Sequence, residues 1–595
     1  MTPAPPLNLN DPSLFVTEGL VAGKWRPGAE GKTFSVTEPS SGQELARCAD
    51  LGLPDFIEAI DAAHKGYKEF SASTTAKERG VLLRKWNDLI LSNVDDLALI
   101  LSSENGKILS EAKGEVLYAA SFVAWFAEEA TRSYGDTIPS SFHNSVVMTF
   151  KEPVGVCSLI TPWNFPAAMI TRKAAPALAA GCSVVIKPPS ETPFTALTLA
   201  KLALDTGLPS PCIHVIPTKD RSAATKLATN PKVSKLSFTG STNVSKMLIK
   251  LAAGTIKKVS MELGGNTPLV VFDSANLDLA VKGAMISKFR ATGQTCVYAN
   301  RIFIQSGLVD EFSKRLIDKV KKLKLGKGTA KGTTQGPLVN AAAVSKVDKH
   351  VHDALGKGAK LLTGGKYPID AKGFFYEPTV LVGATNEMMV ARDETFGPLA
   401  AIFPFDTEEQ VIDLANDTEF GLAGYFFSKD IGQIMRVAQA LECGMIGVNT
   451  GLISAAESPF GGIKESGVGR EGSKYGLAEF QNIKTVALHS EGLYVGLPSF
   501  EQKGLTALVT GVNGSSGQNM LRVLAKNPDR WSKIYALSRR PPQGLFDAPH
   551  IQSVALDFLS GTDNIRATLQ ANNITKVDYV FFFTYKESSG PEGKL

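Results

Sequence analysis

From residue 144 onward the chain alternates two hydrophobic periods, and that alternation is the strongest constraint on its fold. Ser145-Val146-Val147-Met148-Thr149-Phe150 and Val154-Gly155-Val156-Cys157-Ser158-Leu159-Ile160 read as strands. Ser183-Val184-Val185-Ile186 is a short β-branched run, followed by Lys187-Pro188-Pro189-Ser190 and helical spacing from 193 to 204. Ile213-His214-Val215-Ile216 and Lys235-Leu236-Ser237-Phe238 repeat the cycle. Strands joined through helices lie parallel, so the pattern predicts a doubly wound α/β sheet. Ligands bind such sheets beyond the carboxyl ends of the strands. Three of these ends carry unusual residues: Thr161-Pro162-Trp163-Asn164, Lys187-Pro188-Pro189-Ser190 and Thr239-Gly240-Ser241-Thr242.

Residues 54 to 134 are different. Apolar positions recur at helical spacing, as in Val81-Leu82-Leu83-Trp86-Leu89, and predict a run of helices. A second alternating block runs from 269 to 405, and residues 406 to 490 close it with a Gly-rich stretch at 460–467. With 595 residues the chain has room for several domains.

Charge and cysteine usage exclude several function classes. A net charge of +5 without a basic block implies neither nucleic acid nor an acidic membrane surface. Six scattered cysteines without a C-x-x-C argue against a disulfide scaffold and a zinc site, and for a reducing compartment. His350 and His352, the one close histidine pair, lie in a charged, helical-looking stretch, so no metal is expected. Residues 1 to 15 lack both the apolar core of a signal peptide and the Arg-rich face of a transit peptide. No run approaches the roughly 20 apolar residues that cross a bilayer. The expected location is the cytosol.

Cys296 stands at the end of Phe289-Arg290-Ala291-Thr292-Gly293-Gln294-Thr295-Cys296, behind a segment (280–289) that reads as a helix. A lone cysteine is usually a small buried hydrophobe, but this one has polar neighbours and a glycine that permits a tight turn. Glu262 ends an apparent strand just before Gly264-Gly265; alone it reads as a solvated or capping carboxylate. Asn164, between Pro162 and Pro166, alone reads as a turn former. Together the three residue types fit one chemistry. A thiolate attacks an aldehyde carbon, and an Asn side chain with a backbone N–H stabilises the oxyanion. Hydride leaves to a nicotinamide, and a carboxylate activates the water that hydrolyses the thioester.

Thr161-Pro162-Trp163-Asn164-Phe165-Pro166, Phe238-Thr239-Gly240-Ser241-Thr242, Met261-Glu262-Leu263-Gly264-Gly265, Gly293-Gln294-Thr295-Cys296 and Glu394-Thr395-Phe396-Gly397-Pro398 occur in this order. Over residues 12 to 490 the chain resembles the aldehyde dehydrogenase superfamily. The resemblance implies that Cys296 is the nucleophile, Glu262 the general base and Asn164 the oxyanion donor. It places Thr161, Pro162 and Trp163 beside the cofactor. Lys187 and Ser190 would lie at the adenosine ribose, Gly240 and Ser241 near the pyrophosphate, and Glu394 and Phe396 at the nicotinamide ribose. It further implies a Rossmann-like dinucleotide-binding domain (12–137 and 155–265), an α/β catalytic domain (266–475) and a β oligomerisation arm (138–154 and 476–490) of a homodimer or homotetramer. Ser245 stands where the family usually has a second glycine.

Arg172 lies eight residues past Asn164, and Arg290 six before Cys296. They read either as a bidentate carboxylate clamp or as ion pairs on helix faces. The segments 287–290 and 464–476 resemble the succinate-semialdehyde dehydrogenases, in which the two matching arginines and a serine, here Ser454, hold the substrate's far carboxylate. The expected substrate is succinate semialdehyde, with glutarate semialdehyde or a broader aldehyde range as alternatives. A non-catalytic dinucleotide-binding protein is the reading from another class. Some members of that subfamily carry a second cysteine two residues after the nucleophile; Tyr298 stands there, so no disulfide switch is expected. NAD-preferring relatives often carry a Glu three residues after the lysine. Ser190 at that position predicts NADP, with NAD as the alternative.

After about residue 491 the composition shifts. Residues 491–504 read as a linker. Then Leu505-Thr506-Ala507-Leu508-Val509-Thr510 precedes Gly511-x-x-Gly514-x-x-Gly517 and a helix to 525. Glycines between strand and helix let the helix N-terminus face a pyrophosphate, and Arg539 and Arg540 after the next strand would suit a 2′-phosphate. Residues 505–595 thus resemble the start of an extended short-chain dehydrogenase/reductase, a partial NADP-binding Rossmann unit. The sequence ends before that family's Tyr-x-x-x-Lys pair, so this unit is expected to be catalytically silent.

Overall fold

The computed structural model describes residues 7–368, 372–489, 503–540 and 548–583. Of the expected linker, 491–502 lie outside the described residues, as do residue 490 of the expected arm and residues 1–6. The chain divides into two compact units, residues 1–136 with 148–486, and residues 137–147 with 487–595.

The first unit begins its main body with four helices, α1 (Leu53–Ser73), α2 (Ala76–Ser92), α3 (Val94–Asn105) and α4 (Leu109–Glu129). α3 stops at Gly106, whose φ of 85° is the left-handed C-terminal cap that glycine adopts without a Cβ clash. That turn lets Asn105 and Lys107, on either side of it, donate to the Trp163 and Asn164 carbonyls.

Next comes a parallel sheet of β1 (Val156–Ile160), β2 (Ser183–Lys187), β3 (Ile213–Val215), β4 (Val233–Thr239) and β5 (Lys258–Glu262) in the order β3-β2-β1-β4-β5. Short antiparallel strands, Gly19–Val21 and Gly467–Val468, close its edges. α5 (Ala168–Ala180), α6 (Phe194–Asp205) and α7 (Thr242–Ala252) follow β1, β2 and β4. Both faces are covered, so β1 and β2 are buried almost throughout and read as continuous apolar runs. Trp86, Phe126, Leu159, Leu178 and Ile186 belong to the core beneath α2 and α4. The strand order reverses between β1 and β4, which is where an open α/β sheet forms its binding crevice.

A second sheet comprises β6 (Pro268–Val271), β7 (Arg301–Gln305), β8 (Lys360–Thr363), β9 (Thr379–Val382), β10 (Leu399–Phe405), β11 (Ala423–Phe427) and β12 (Met445–Val448). Its order is β8-β9-β10-β7-β6-β11-β12, parallel except for β8. α8 (Leu277–Phe289) returns from β6 over one face and ends just before the cysteine segment. Ser145–Pro153 and Gln481–His489 are long strands, with Lys484 paired to Glu152 between them.

The second unit holds β13 (Leu505–Thr510), β14 (Trp531–Ser538), β15 (Ile551–Ala555) and β16 (Tyr579–Phe581), all parallel in the order β15-β14-β13-β16. α9 (Ser515–Ala525) follows β13 and packs Leu521 and Leu524 on Val509, Ala536 and Trp531. Gly511 has a φ of 67°, and a Cβ on Gly517 would lie 2.4 Å from the Gly511 carbonyl, so the loop closes only with glycine. Arg539 and Arg540 are exposed, and Asn513 of the loop donates to the Arg540 carbonyl (3.3 Å). Among the described residues no helix is long and apolar enough to cross a membrane.

Candidate active site

The segment before Cys296 is more contorted than a Gly-Gln turn. Ala291 (φ 49°), Thr292 (φ 55°) and Gly293 (φ 73°) are left-handed in succession. For the two non-glycines this costs on the order of 1–2 kcal/mol each, so the surroundings must hold them. The Ala291 N–H donates to Glu111 Oε2 (3.0 Å), and Thr292 Oγ1 donates to the Gly336 carbonyl (3.1 Å). A Cβ on Gly293 would stand 2.2 Å from the Gly397 carbonyl oxygen. Gln294 is buried, and its side-chain oxygen accepts from Val339 N (3.0 Å). Its amide therefore serves the loop rather than the thiol.

Asn164 and Glu262 reach this segment from the ends of β1 and β5. Asn164 Nδ2 donates to the Gln294 carbonyl (3.0 Å), which ties the amide to the cysteine loop and leaves its other N–H available. Gly265 lets the chain after Glu262 pass against the nucleophile's backbone, since a Cβ there would lie 2.8 Å from the Cys296 carbonyl oxygen. Both carboxyl oxygens of Glu262 are buried without a protein hydrogen bond. Burial and the neighbouring Glu471 push its pKa well above the carboxylate range, against the pull of Arg172 and Lys173. Burial pushes the Cys296 thiol up to about 12, with Arg172 opposing. Burial thus disfavours the ionised form of both groups in this state.

Cys296 opens on a cavity of about 200 Å³ lined also by Thr295, Tyr298, Arg172, Arg290 and Ser454. Arg172 is fully buried. It is an ion-pair partner, its Nε against Glu471 Oε2, and it lines the cavity, stacked 4.3 Å over the Phe460 ring. Lys173 pairs with the other oxygen of Glu471 and donates to Ser237 Oγ (3.2 Å). Arg290 lines the cavity and, among the described residues, has no ion pair or side-chain hydrogen bond. Tyr118 Oη, Arg172 Nη2, Thr295 Oγ1 and Tyr298 Oη are buried without a partner on the same wall. Sequence reasoning missed Glu471, Lys173, Tyr118 and Phe460. Adjacent Arg172-Lys173 inside an apolar helical run was a usable signal, because two buried cations demand a buried carboxylate.

Several residues expected at a dinucleotide present unpartnered hydroxyls at the switch point. Thr161 and Thr239 Oγ1 and Ser245 Oγ are buried hydroxyls without a protein partner, at the ends of β1 and β4 and in the first turn of α7. Ser245 thus fits as a hydroxyl where a glycine was expected. Ser241 caps α7 with its backbone while its side chain makes no capping bond, and the Gly240 N–H donates to the Glu262 carbonyl (3.1 Å). Lys187 ends β2, and Ser190 donates to Glu191 Oε2 (3.2 Å). Pro162 and Trp163 are half-buried, and Trp163 meets Phe396 edge-on, centroids 5.6 Å apart. Glu394 accepts from Gly265 N (3.3 Å), and burial raises its pKa to about 7.

A β3-β2-β1-β4-β5 parallel sheet whose switch-point loops meet a cysteine, a carboxylate and an asparagine defines a dinucleotide-dependent oxidoreductase. Residues 25–486 match the model of the aldehyde dehydrogenase family. The chain belongs to the aldehyde dehydrogenase family and uses NAD(P). It is 52% identical to a 3-sulfolactaldehyde dehydrogenase of Pseudomonas putida (81% of this chain, 99% of the relative) and 51% to a glutarate-semialdehyde dehydrogenase of that species (81% and 100%). It is 50% identical to the NADP(+) succinate-semialdehyde dehydrogenase of Escherichia coli (81% and 100%). The crystal structure of succinate-semialdehyde dehydrogenase from Burkholderia pseudomallei superposes with a TM-score of 0.80 at 51% identity (81% and 100%).

Proposed function

We propose that the chain oxidises succinate semialdehyde to succinate, with glutarate semialdehyde as the neighbouring alternative. The observation that carries this is the cavity: a thiol at one end, two arginines, Ser454 and four unsatisfied buried polar atoms on its walls. Buried donors without partners cost roughly 1–3 kcal/mol each, and an anionic substrate group satisfies them. A sulfonate offers the same acceptors, so a sulfonated aldehyde belongs in the test. The experiment is an aldehyde panel with both cofactors; a preference for uncharged aldehydes over all three anionic ones rejects the reading.

In this assignment the Cys296 thiol gives its proton to the ionised Glu262, which passes it to solvent, and Sγ attacks the aldehyde carbon as the oxyanion forms. The free N–H of Asn164 and the backbone at Cys296 stabilise that oxyanion. NAD(P), when bound, would supply the hydride acceptor, and loss of hydride would leave a thioester on Cys296. Glu262, ionised, takes a proton from water, which releases the acid and the free thiol. Lys187 and Ser190 would hold the adenosine ribose, and Thr161, Pro162, Trp163, Gly240 and Ser241 would line the cofactor's path. Glu394 and Phe396 would serve its nicotinamide end. NADP is the preferred cofactor, with NAD the second reading because Glu191 sits beside Ser190.

The same proposal divides residues 12–490 into a dinucleotide-binding domain (12–137 and 155–265), a catalytic domain (266–475) and an arm (138–154 and 476–490) joining two or four copies. The free state of all six cysteines supports a cytosolic location. The second unit is assigned a dinucleotide through Gly511, Gly514, Gly517, Arg539 and Arg540; its strand order β15-β14-β13-β16 supports this.

A further inference from the structure

α4 touches both catalytic loops through consecutive turns of one face. Glu111 and Glu115 lie four residues apart, hence one above the other on the helix. Glu111 Oε2 accepts the Ala291 N–H (3.0 Å), the first left-handed residue of the segment that delivers Cys296. Glu115 is fully buried, and its Oε1 accepts the Ala167 N–H (2.9 Å) just past Asn164. Its other oxygen pairs with Lys107, which donates in turn to the Asn164 carbonyl (2.9 Å). The Lys107 ammonium also lies 3.9 Å over the Phe165 ring. Asn105, at the end of α3, adds a bond to the Trp163 carbonyl (2.8 Å). None of these groups lines the cavity with Cys296, yet Glu111 and Lys107 grip the backbone next to Arg290 and Phe165, which do, and Glu115 and Asn105 hold the residues two positions either side of Phe165.

Two buried or half-buried carboxylates on an otherwise apolar helix face need a reason, because burying them is costly unless they are bonded. Both are bonded, and both to loops rather than to their own helix. We propose that the first two turns of α4 set the spacing between nucleophile and oxyanion donor. Glu111 braces the strained segment before Cys296. Glu115, with Lys107, fixes the loop that carries Asn164. These are positioning residues. The inference rests on the assignment of Cys296 and Asn164 above. It adds that their relative placement is built on a third element and is not a property of the two loops alone.

The test uses the full-length protein. Steady-state kinetics is combined with the rate of Cys296 alkylation by iodoacetamide, read by peptide mass spectrometry. Glu111→Ala should shift the alkylation rate and lower kcat on the order of tenfold or more, with KM nearly unchanged. Glu111→Gln keeps an acceptor for Ala291 N–H and should restore both. For the second carboxylate, Glu115→Ala with Lys107→Met avoids stranding a buried charge. It should lower kcat similarly while alkylation stays at the wild-type rate, since it moves the amide and not the thiol. Glu115→Gln with Lys107→Met should recover activity through the bond to Ala167. Should the Lys107 variants fail to fold, the Glu111 series alone decides. Folded Glu111→Ala with unchanged kcat and alkylation, or a Gln variant no better than Ala, overturns the proposal. Cys296→Ala is the control: if it retains activity, the catalytic assignment itself fails; if it is inactive while Glu111→Ala matches wild type, only the positioning role falls.

Discussion

Arg172 and Glu471 form an ion pair in the buried wall of the cavity that opens on Cys296. Lys173 shares the same carboxylate, so two cations face one anion and one positive charge is left over. Arg290 adds another on the same cavity. The wall is held together by its own carboxylate, yet its net charge still favours an anionic occupant.

Arg172→Ala should therefore raise KM for succinate semialdehyde far more than for an uncharged aliphatic aldehyde of similar length. A lost hydrogen bond to a charged group costs roughly 1.5–3 kcal/mol, about tenfold to a hundredfold or more in binding. Kinetics of both substrates on one folded preparation measure the difference. An equal loss on both would show that Arg172 serves only to hold Glu471.

Glu262 gives a pH prediction whose sign follows from its burial. Its folded pKa lies above its unfolded value, so the native state keeps a proton that the unfolded chain releases. Stability from this group is present below the ordinary carboxylate range and is lost as pH rises through the raised pKa. Base catalysis runs the other way, because only the ionised form takes a proton from water. Thioester hydrolysis should rise with pH until Glu262 is ionised. Glu262→Gln should abolish that limb and show a burst of reduced cofactor followed by little turnover. Rapid-mixing absorbance measures the burst, and a wild-type profile in the variant would remove Glu262 from the base role.

Much of this was legible before any coordinates. Periodicity marks β1 through β5 because parallel strands buried on both faces read as apolar runs, and the helical stretch before residue 134 reads from its own spacing. The motif order singled out Cys296, Asn164 and Glu262, whose loops the structure brings together. What stayed hidden is long-range polar partnership. Glu471 is 299 positions from Arg172, and Glu111 is 180 from the Ala291 N–H it accepts. No local period records such pairs, since a single carboxylate on a helix looks the same whether it faces water or a distant loop. The strain at Ala291 and Thr292 was equally hidden, because neither residue type advertises a left-handed backbone.

Tyr298 occupies the position two residues after the thiol, and its hydroxyl is buried on the cavity wall without a partner. Peroxide inactivation should not be recovered by a thiol reductant through a bond at this position. Tyr298→Cys should introduce such recovery, measured as activity before and after dithiothreitol. Recovery in the wild type would require a different thiol partner for Cys296.

The family match ends at residue 486, and the sheet β15-β14-β13-β16 has its own core around Val509, Ala536 and Trp531. Deleting everything after about residue 494 should leave aldehyde oxidation intact. Loss of the folded enzyme on deletion would assign the C-terminal unit a structural role.

Cofactor choice turns on three residues at the end of β2. Lys187 is a cation whose pKa burial lowers and Glu191 raises, and Ser190 is bonded to that same Glu191 carboxylate. A 2′-phosphate brings negative charge, so it gains from Lys187 and a free Ser190 hydroxyl and loses from Glu191. Glu191→Gln removes the repulsion and should raise kcat/KM for NADP relative to NAD. Ser190→Glu places a second carboxylate beside Lys187 and should reverse the ratio toward NAD, each change being on the order of tenfold for about 1.4 kcal/mol. The ratio of kcat/KM values for the two cofactors in the three proteins reads this directly. If Glu191→Gln instead weakens NAD and leaves NADP untouched, then Glu191 is a ligand of the ribose hydroxyls, and NAD is the cofactor the site was built for.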